Sequence, residues 1–150
     1  MALYYLETSA LVKLYIRELG TERLLNLAAR SSGNQFAILS LAQAELRSAV
    51  RKRERTGEIP TSIAIQLLLA FRRHLETRFI TQGVTDLVVD LACEVIDRNA
   101  LRAFDALQLA GYLALKGSSG TDQPFFVCAD RELLEAARRE GAPVLDPLVS

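Results

Sequence analysis

The apolar positions of this chain fall into short runs separated by longer segments with helical spacing. Five apolar runs predict short strands, at 3–6, 36–39, 79–81, 124–128 and 143–145. Between them, apolar residues recur every three or four positions and predict helices at 9–17, 21–30, 41–55, from 60 onward, 86–98, 102–116 and 131–139. Strands that alternate with helices or helix pairs are typical of an α/β fold, with a parallel sheet covered on both faces.

Local signals place the ends of these elements. Thr8 or Ser9 is expected to cap the first helix, and Ser40 to cap the helix that begins at Leu41. The glycine- and serine-rich segment 117–122 predicts a loop. Too little chain follows that loop to form a second domain, so we expect residues 1–150 to form one domain.

The composition adds limits on function and location. Half of the 150 residues are hydrophobic, which favours a globular protein. The 18 basic and 18 acidic residues balance, so any nucleic-acid binding must come from a local basic patch. Cys93 and Cys128 have no metal-site spacing, and we expect both to be buried thiols in a reducing cytoplasm. The sequence shows neither a signal-peptide pattern nor an apolar run near the roughly 18 residues that span a bilayer, so no membrane association is expected.

Four acidic residues stand out by position. Glu7 and Asp130 follow predicted strands, and the carboxyl ends of parallel strands share the sheet edge at which ligands bind. Glu45 and Asp105 have apolar residues one helical turn away, which places each carboxylate in an apolar stripe. Aspartate and glutamate are almost never fully buried without a partner. Convergence of all four acids would therefore explain the pattern.

A simpler interpretation exists for each helical acid. Glu45 and Asp105 would then lie at the rims of their helices or pair with Arg47, Arg51 or Arg102. Asp105 also suits the first turn of its helix, where a negative charge is favourable.

If the acids do converge, they require a cation, because neighbouring carboxylates repel one another. No histidine or cysteine accompanies them, and an all-oxygen set suits Mg²⁺ or Mn²⁺ better than zinc. Such ions hold phosphate groups and activate water. Ser9 is predicted either to orient that water or only to cap its helix.

Four segments together resemble the PIN domains, especially the VapC-type toxins of toxin–antitoxin systems. They are YLETSALVKLY at 5–15, AEL at 44–46, LRAFDALQLA at 101–110, and FVCADRELL at 126–134 followed by Ala136 and Ala137. The resemblance implies a three-layer α/β/α domain with a five-stranded parallel sheet. It also implies a magnesium- or manganese-dependent endoribonuclease, the toxin of a type II system with an antitoxin partner. Glu7 and Asp105 would bind the metal directly, and Glu45 and Asp130 would complete the pocket.

The chain departs from this family at the first acid, where the family has aspartate and this sequence has Glu7. An alternative function is therefore an RNA- or partner-binding module with weakened or lost nuclease activity. A third possibility is a phosphoryl-transfer or receiver-type domain, but Glu7 and the lack of lysine after Lys116 argue against it. A smaller departure is Gln108, where family members often have histidine.

Other residues are candidates for contacts with partners. Arg51, Lys52, Arg53 and Arg55 are candidates for RNA phosphate, although solvation of a helix end is the favoured explanation for them. Tyr4 and Tyr15 are candidates to stack bases, whereas core packing is expected for Tyr5 and Tyr112. The apolar face 63–71 predicts a homodimer and a groove for an apolar antitoxin segment.

Overall fold

The computed structural model describes residues 2–118 and 123–149, and it forms a five-stranded parallel sheet between two layers of helices. Its strands are β1 (Leu3–Leu6), β2 (Gln35–Leu39), β3 (Phe79–Gln82), β4 (Phe125–Val127) and β5 (Val144–Leu145). Its helices are α1 (Thr8–Leu11), α2 (Thr21–Ala28), α3 (Ala42–Arg55), α4 (Thr61–Thr77), α5 (Asp86–Arg98), α6 (Ala103–Ser118) and α7 (Arg131–Arg139). Short 3₁₀ turns lie at Val12–Leu14 and Arg30–Ser32. The predicted fold class is confirmed.

The order of the strands puts β1 at the centre. The sheet runs β3-β2-β1-β4-β5, with every pair parallel and Leu6 opposite Val127. The sheet is thus extended from β1 in one direction by β2 and β3 and in the other by β4 and β5. The carboxyl ends of β1 and β4 therefore flank the switch point at which open α/β sheets bind ligands.

Alternate residues of the strands build two cores. Tyr5, Leu39 and Phe126 pack against α5, α6 and α7 on one face of the sheet. Leu6 and Ile38 pack on the other face against the helices α1 to α4. This alternation follows from the period of two along a strand and requires both faces to be apolar.

A glycine allows α6 to approach the sheet closely. A Cβ atom built on Gly111 would lie 2.6 Å from both Leu39 Cδ1 and the Tyr5 hydroxyl oxygen. Any larger residue would therefore require the Leu39 or Tyr5 side chain, or α6 itself, to shift.

The first helix differs most from its prediction. The segment 9–17 forms only the single turn of α1 and a 3₁₀ turn, and the cap is neither Thr8 nor Ser9. Glu7 is the N-cap, because its own carboxylate accepts the backbone N–H of Ser9. Ser40 was also predicted wrongly, since Leu41 precedes α3 and no side chain caps that helix.

Three smaller expectations also change. Gly117 and Ser118 belong to α6, while the rest of the predicted loop, 119–122, lies outside the described residues. Cys93 is exposed, because it faces outward on α5, whereas Cys128 is buried as expected. Within 2–118 and 123–149, no helix is long and apolar enough to cross a bilayer.

Candidate active site

Two loops meet at the switch point between β1 and β4. Glu7 follows β1 directly, and Asp130 is the N-cap of α7, just beyond β4. The Ser9 hydroxyl joins the two loops, because it accepts the backbone N–H of Ala129 at 2.9 Å. The sheet therefore fixes the spacing between the first and the last of the predicted acids.

Glu7 lies deep in this site, with 6% of its surface exposed. Its Oε2 atom accepts the Ser9 backbone N–H at 2.9 Å and also the Ser9 hydroxyl. Burial raises the pKa of Glu7, although the hydrogen bonds from Ser9 oppose that rise by stabilising the carboxylate. Glu7 is thus a partly compensated buried acid, and Ser9 acts on it directly as well as on the β4 loop.

Glu45, on α3, is held by a small hydrogen-bonded ring. Its Oε1 atom accepts the Thr8 hydroxyl and the Gln108 side-chain amide, each at 2.8 Å. The same amide donates to the Thr8 hydroxyl oxygen at 2.9 Å. Neutral donors therefore position Glu45, and Arg51, one of its possible partners, pairs instead with Glu54 at 2.9 Å.

Tyr5 supports this ring from below. The buried Tyr5 hydroxyl donates to the Gln108 carbonyl oxygen at 2.7 Å and lies 3.3 Å from the Gln108 side-chain oxygen. Burial raises the pKa of Tyr5, and the negative charges of Glu7 and Glu45 raise it further. Both acids therefore lie close enough to the same phenol to act on it.

Asp105 and Asp130 form a second pair beside a cleft of about 620 Å³ that they share with Arg102 and Leu101. Burial raises the pKa of Asp105, and the charge of Asp130 adds to that rise. The charge of Glu45 acts in the same direction, whereas Arg102 lowers the pKa. Glu45 binds Thr8, the residue after Glu7, and Asp105 lines one cleft with Asp130, so the acids form two neighbouring pairs at the carboxyl edge of the sheet.

The side chains of the four acids have the chemistry that a hard cation needs, but they are not close enough together to surround one. All four acids offer carboxylate oxygens, the ligands that Mg²⁺ and Mn²⁺ prefer. Within the described part of the chain, no three histidine, cysteine, aspartate or glutamate side chains are close enough to hold a metal ion. The four-acid ligand set therefore stays a prediction.

Comparison with known proteins places this geometry in context. No protein-family model and no curated protein sequence matches the chain. Several solved structures do match. A chain of VapBC2 from Rickettsia felis, solved with a promoter DNA fragment, has a TM-score of 0.65 and 16% identity over 96% of this chain and 98% of that one. PAE2754 from Pyrobaculum aerophilum has a TM-score of 0.63 and 25% identity over 95% and 83%. DNA-bound VapBC from Salmonella typhimurium has a TM-score of 0.61 and 16% identity over 98% of this chain and 99% of that one.

The chain has the fold of a VapC-type PIN domain. The resemblance noted from four short segments is confirmed. At sequence identities of 16–25%, these matches establish the fold of the chain.

The basic run of this PIN-like domain is partly engaged in ion pairs. Arg53 lies 3.4 Å from Glu18 and 3.6 Å from Glu58, and Arg51 pairs with Glu54 as described above. Lys52 and Arg55 are exposed at the end of α3. These contacts favour the structural explanation for the two paired arginines, and RNA binding by this run stays a prediction.

Tyr4 does not offer a stacking surface. Tyr4 is buried between Phe36 and Phe125, and Tyr15 packs edge-on against Phe71. The prediction that Tyr4 stacks a base is therefore wrong, because a ring packed on both faces has no free face. Core packing of Tyr5 and Tyr112 is confirmed.

Thr8 and Gln108 are the site residues that sequence reasoning did not assign. Gln108 is 1% exposed on a stretch of α6 that is otherwise apolar, and a buried amide in such a stretch needs partners. That polar position was the available signal for Gln108. Thr8 had none beyond its place between Glu7 and Ser9.

Proposed function

We propose that this protein is a metal-dependent endoribonuclease, the toxin component of a toxin–antitoxin system, which hydrolyses RNA phosphodiester bonds. The observation that carries the proposal is the position of four acids at the carboxyl edge of a VapC-like sheet. Glu7 and Asp130 follow the neighbouring strands β1 and β4, Glu45 binds Thr8, and Asp105 lines the cleft beside Asp130. Neighbouring carboxylates repel one another, and a bound divalent cation offsets that repulsion.

Each acid has its own role in this proposal. Glu7 and Asp105 would hold Mg²⁺ or Mn²⁺ directly, and Glu45 and Asp130 would complete the pocket and help to position the attacking water. When bound, the cation would offset the charge of the phosphate and make the water more acidic. The hydrogen bonds found for Glu45 end on Oε1, which leaves Oε2 as the oxygen that can face the water. The product strands separate after hydrolysis without a covalent link to the enzyme.

A partner and a dimer also belong to the proposal. The solved VapBC structures are complexes by name, and this chain exposes Ile63, Ile65 and Leu69 on α4. We expect an antitoxin segment to cover part of this apolar surface, and the free chain to form a homodimer. Light scattering at micromolar concentration should give more than one monomer mass, and a monomer at every concentration would contradict the dimer.

A second candidate function is an RNA- or partner-binding module with little or no nuclease activity. Two observations favour it: Glu7 stands where the family has aspartate, and its carboxylate is turned onto Ser9 instead of into a group of three acids.

One assay separates the two functions. Purified protein is incubated with mixed RNA in Mg²⁺, in Mn²⁺ and in EDTA, with the Asp105→Asn variant as a matched control. Cleavage that requires the metal and Asp105 supports the nuclease. RNA binding without cleavage in either metal supports an RNA-binding module. Neither binding nor cleavage contradicts both the nuclease and the RNA-binding module and leaves only a partner-binding module.

A further inference from the structure

One aromatic ring is exposed beside this site. Of the six phenylalanine and four tyrosine rings, all of which lie in the described ranges, only Phe104 is exposed, with 62% of its surface accessible. A single exposed apolar residue is ordinary on a protein surface. The position of Phe104, not its exposure alone, makes it notable.

Phe104 lies in the first turn of α6, directly before Asp105 and one helical turn before Gln108. Residues four apart share a face of a helix, and side chains lean toward the amino end. The face of α6 from which Gln108 reaches Glu45 therefore continues, at the mouth of the site, into the Phe104 ring. Phe104 thus directly precedes Asp105 in the chain and lies one helical turn from Gln108, the residue that holds Glu45.

A cation borders the cleft beside these acids. Arg102, two residues before Phe104, is exposed and lines that cleft together with Asp105 and Asp130. A flat apolar ring with a neighbouring arginine matches one nucleotide, which offers a base to stack and a phosphate to neutralise.

We propose that Phe104 is a positioning residue that stacks a base of single-stranded RNA beside the bond to be cut, while Arg102 contacts the adjoining phosphate. This inference rests on the proposed function. Stacking needs an unpaired base and is tolerant of its identity, so Phe104 fixes the position of the strand without reading its sequence.

The test compares Phe104→Leu with Phe104→Tyr, both in the Asp105→Asn background so that the RNA stays intact. Binding of a short fluorescent single strand is followed by anisotropy. We expect Phe104→Leu to weaken binding about tenfold and Phe104→Tyr to stay within about twofold, because only the aromatic variant keeps the stacking face. Equal binding by Phe104→Leu and its parent would overturn the proposal.

Abasic nucleotides locate the stacked base. At one position of the strand, an abasic nucleotide should weaken binding to the parent about tenfold and should not weaken binding to the Phe104→Leu variant any further. If the two losses multiply at every position, the ring does not stack a base.

The remaining outcomes distinguish failure of base stacking by Phe104 from failure of the proposed nuclease function. A change in oligomeric mass with Phe104→Leu would assign the ring to a protein interface and overturn the proposal. In the nuclease-competent chain, Phe104→Leu should raise KM with little change in kcat. If the parent neither binds nor cuts RNA, the proposed function fails as well; if the parent does both and Phe104→Leu is unchanged, only the stacking fails.

Discussion

Replacing Glu7 by aspartate tests the departure of this chain from the family it resembles. The substitution removes one methylene and moves the carboxylate by roughly 1.5 Å if the backbone stays fixed. Glu7 is buried and bonded to Ser9, so the shorter side chain must leave part of that contact. Aspartate is also a good N-cap, which lets the first turn of α1 persist.

The expected effects on stability and activity have opposite signs. Loss of one buried methylene costs about 1 kcal/mol, which lowers Tm by about 2–4 °C in a chain of this size. If the retracted carboxylate turns toward the other acids, Mg²⁺ gains a ligand in the near-octahedral geometry it demands. We expect the cleavage rate to rise at least about tenfold, which is about 1.4 kcal/mol of barrier.

The measurement is a side-by-side cleavage assay of both forms under saturating magnesium, with a thermal melt of each sample. Glu7→Gln is the matched control, because it keeps the size and the acceptor for Ser9 but removes the charge, and it should not cut RNA. An unchanged or lower rate for Glu7→Asp would show that the site is built for glutamate. A higher rate in Mn²⁺ alone would point to the choice of metal instead.

Three further predictions follow from the other acids and their partners. Asp105→Asn should abolish cleavage and raise Tm at neutral pH, where a repelling charge is removed; a large loss of Tm would indicate a structural ion pair. Because the pKa of Asp105 is raised in the fold, the stability associated with it is complete below its ordinary value of 3.8 and is lost as the pH rises; melts from pH 3 to 7 should therefore show the Asn variant gaining its advantage only as the pH increases. Gln108→Leu should cost about 1.5–3 kcal/mol by urea denaturation and reduce cleavage, and Gln108→His should recover part of both; a Leu variant as stable and active as its parent would show that the Glu45 ring is dispensable.

Most of the fold could be predicted because its strands and long helices have strong, simple patterns. The helices Asp86–Arg98 and Arg131–Arg139 begin and end where their caps and periodicity indicate. The order of the strands was not available from periodicity, since it depends on which apolar faces pair across the sheet. The structure supplied that order, β3-β2-β1-β4-β5.

The first turn after β1 shows where local signals fail. Thr8 and Ser9 are the residue types that cap helices, yet their hydroxyls are used in the site and an acid caps α1 instead. Hydroxyl groups choose among competing acceptors in the folded chain, and those acceptors come from α3 and from Glu7 itself. A rule based on neighbours in sequence cannot rank them.

The turn Glu7-Thr8-Ser9 divides the candidate site into two networks. Ser9 joins Glu7 to Ala129, and so to the loop that carries Asp130. Thr8 joins Glu45 to Gln108, and so to the helix that carries Asp105. Ser9 therefore holds Glu7 and the Asp130 loop, whereas Thr8 holds Glu45 and its partner Gln108. A change at Glu7 first affects its hydrogen bonds with Ser9 and thus the Asp130 loop. The longer side chain at position 7 therefore alters the half of the site that Ser9 holds. The hydrogen bonds of Glu45 with Thr8 and Gln108 stay in place and keep the other half of the site in position.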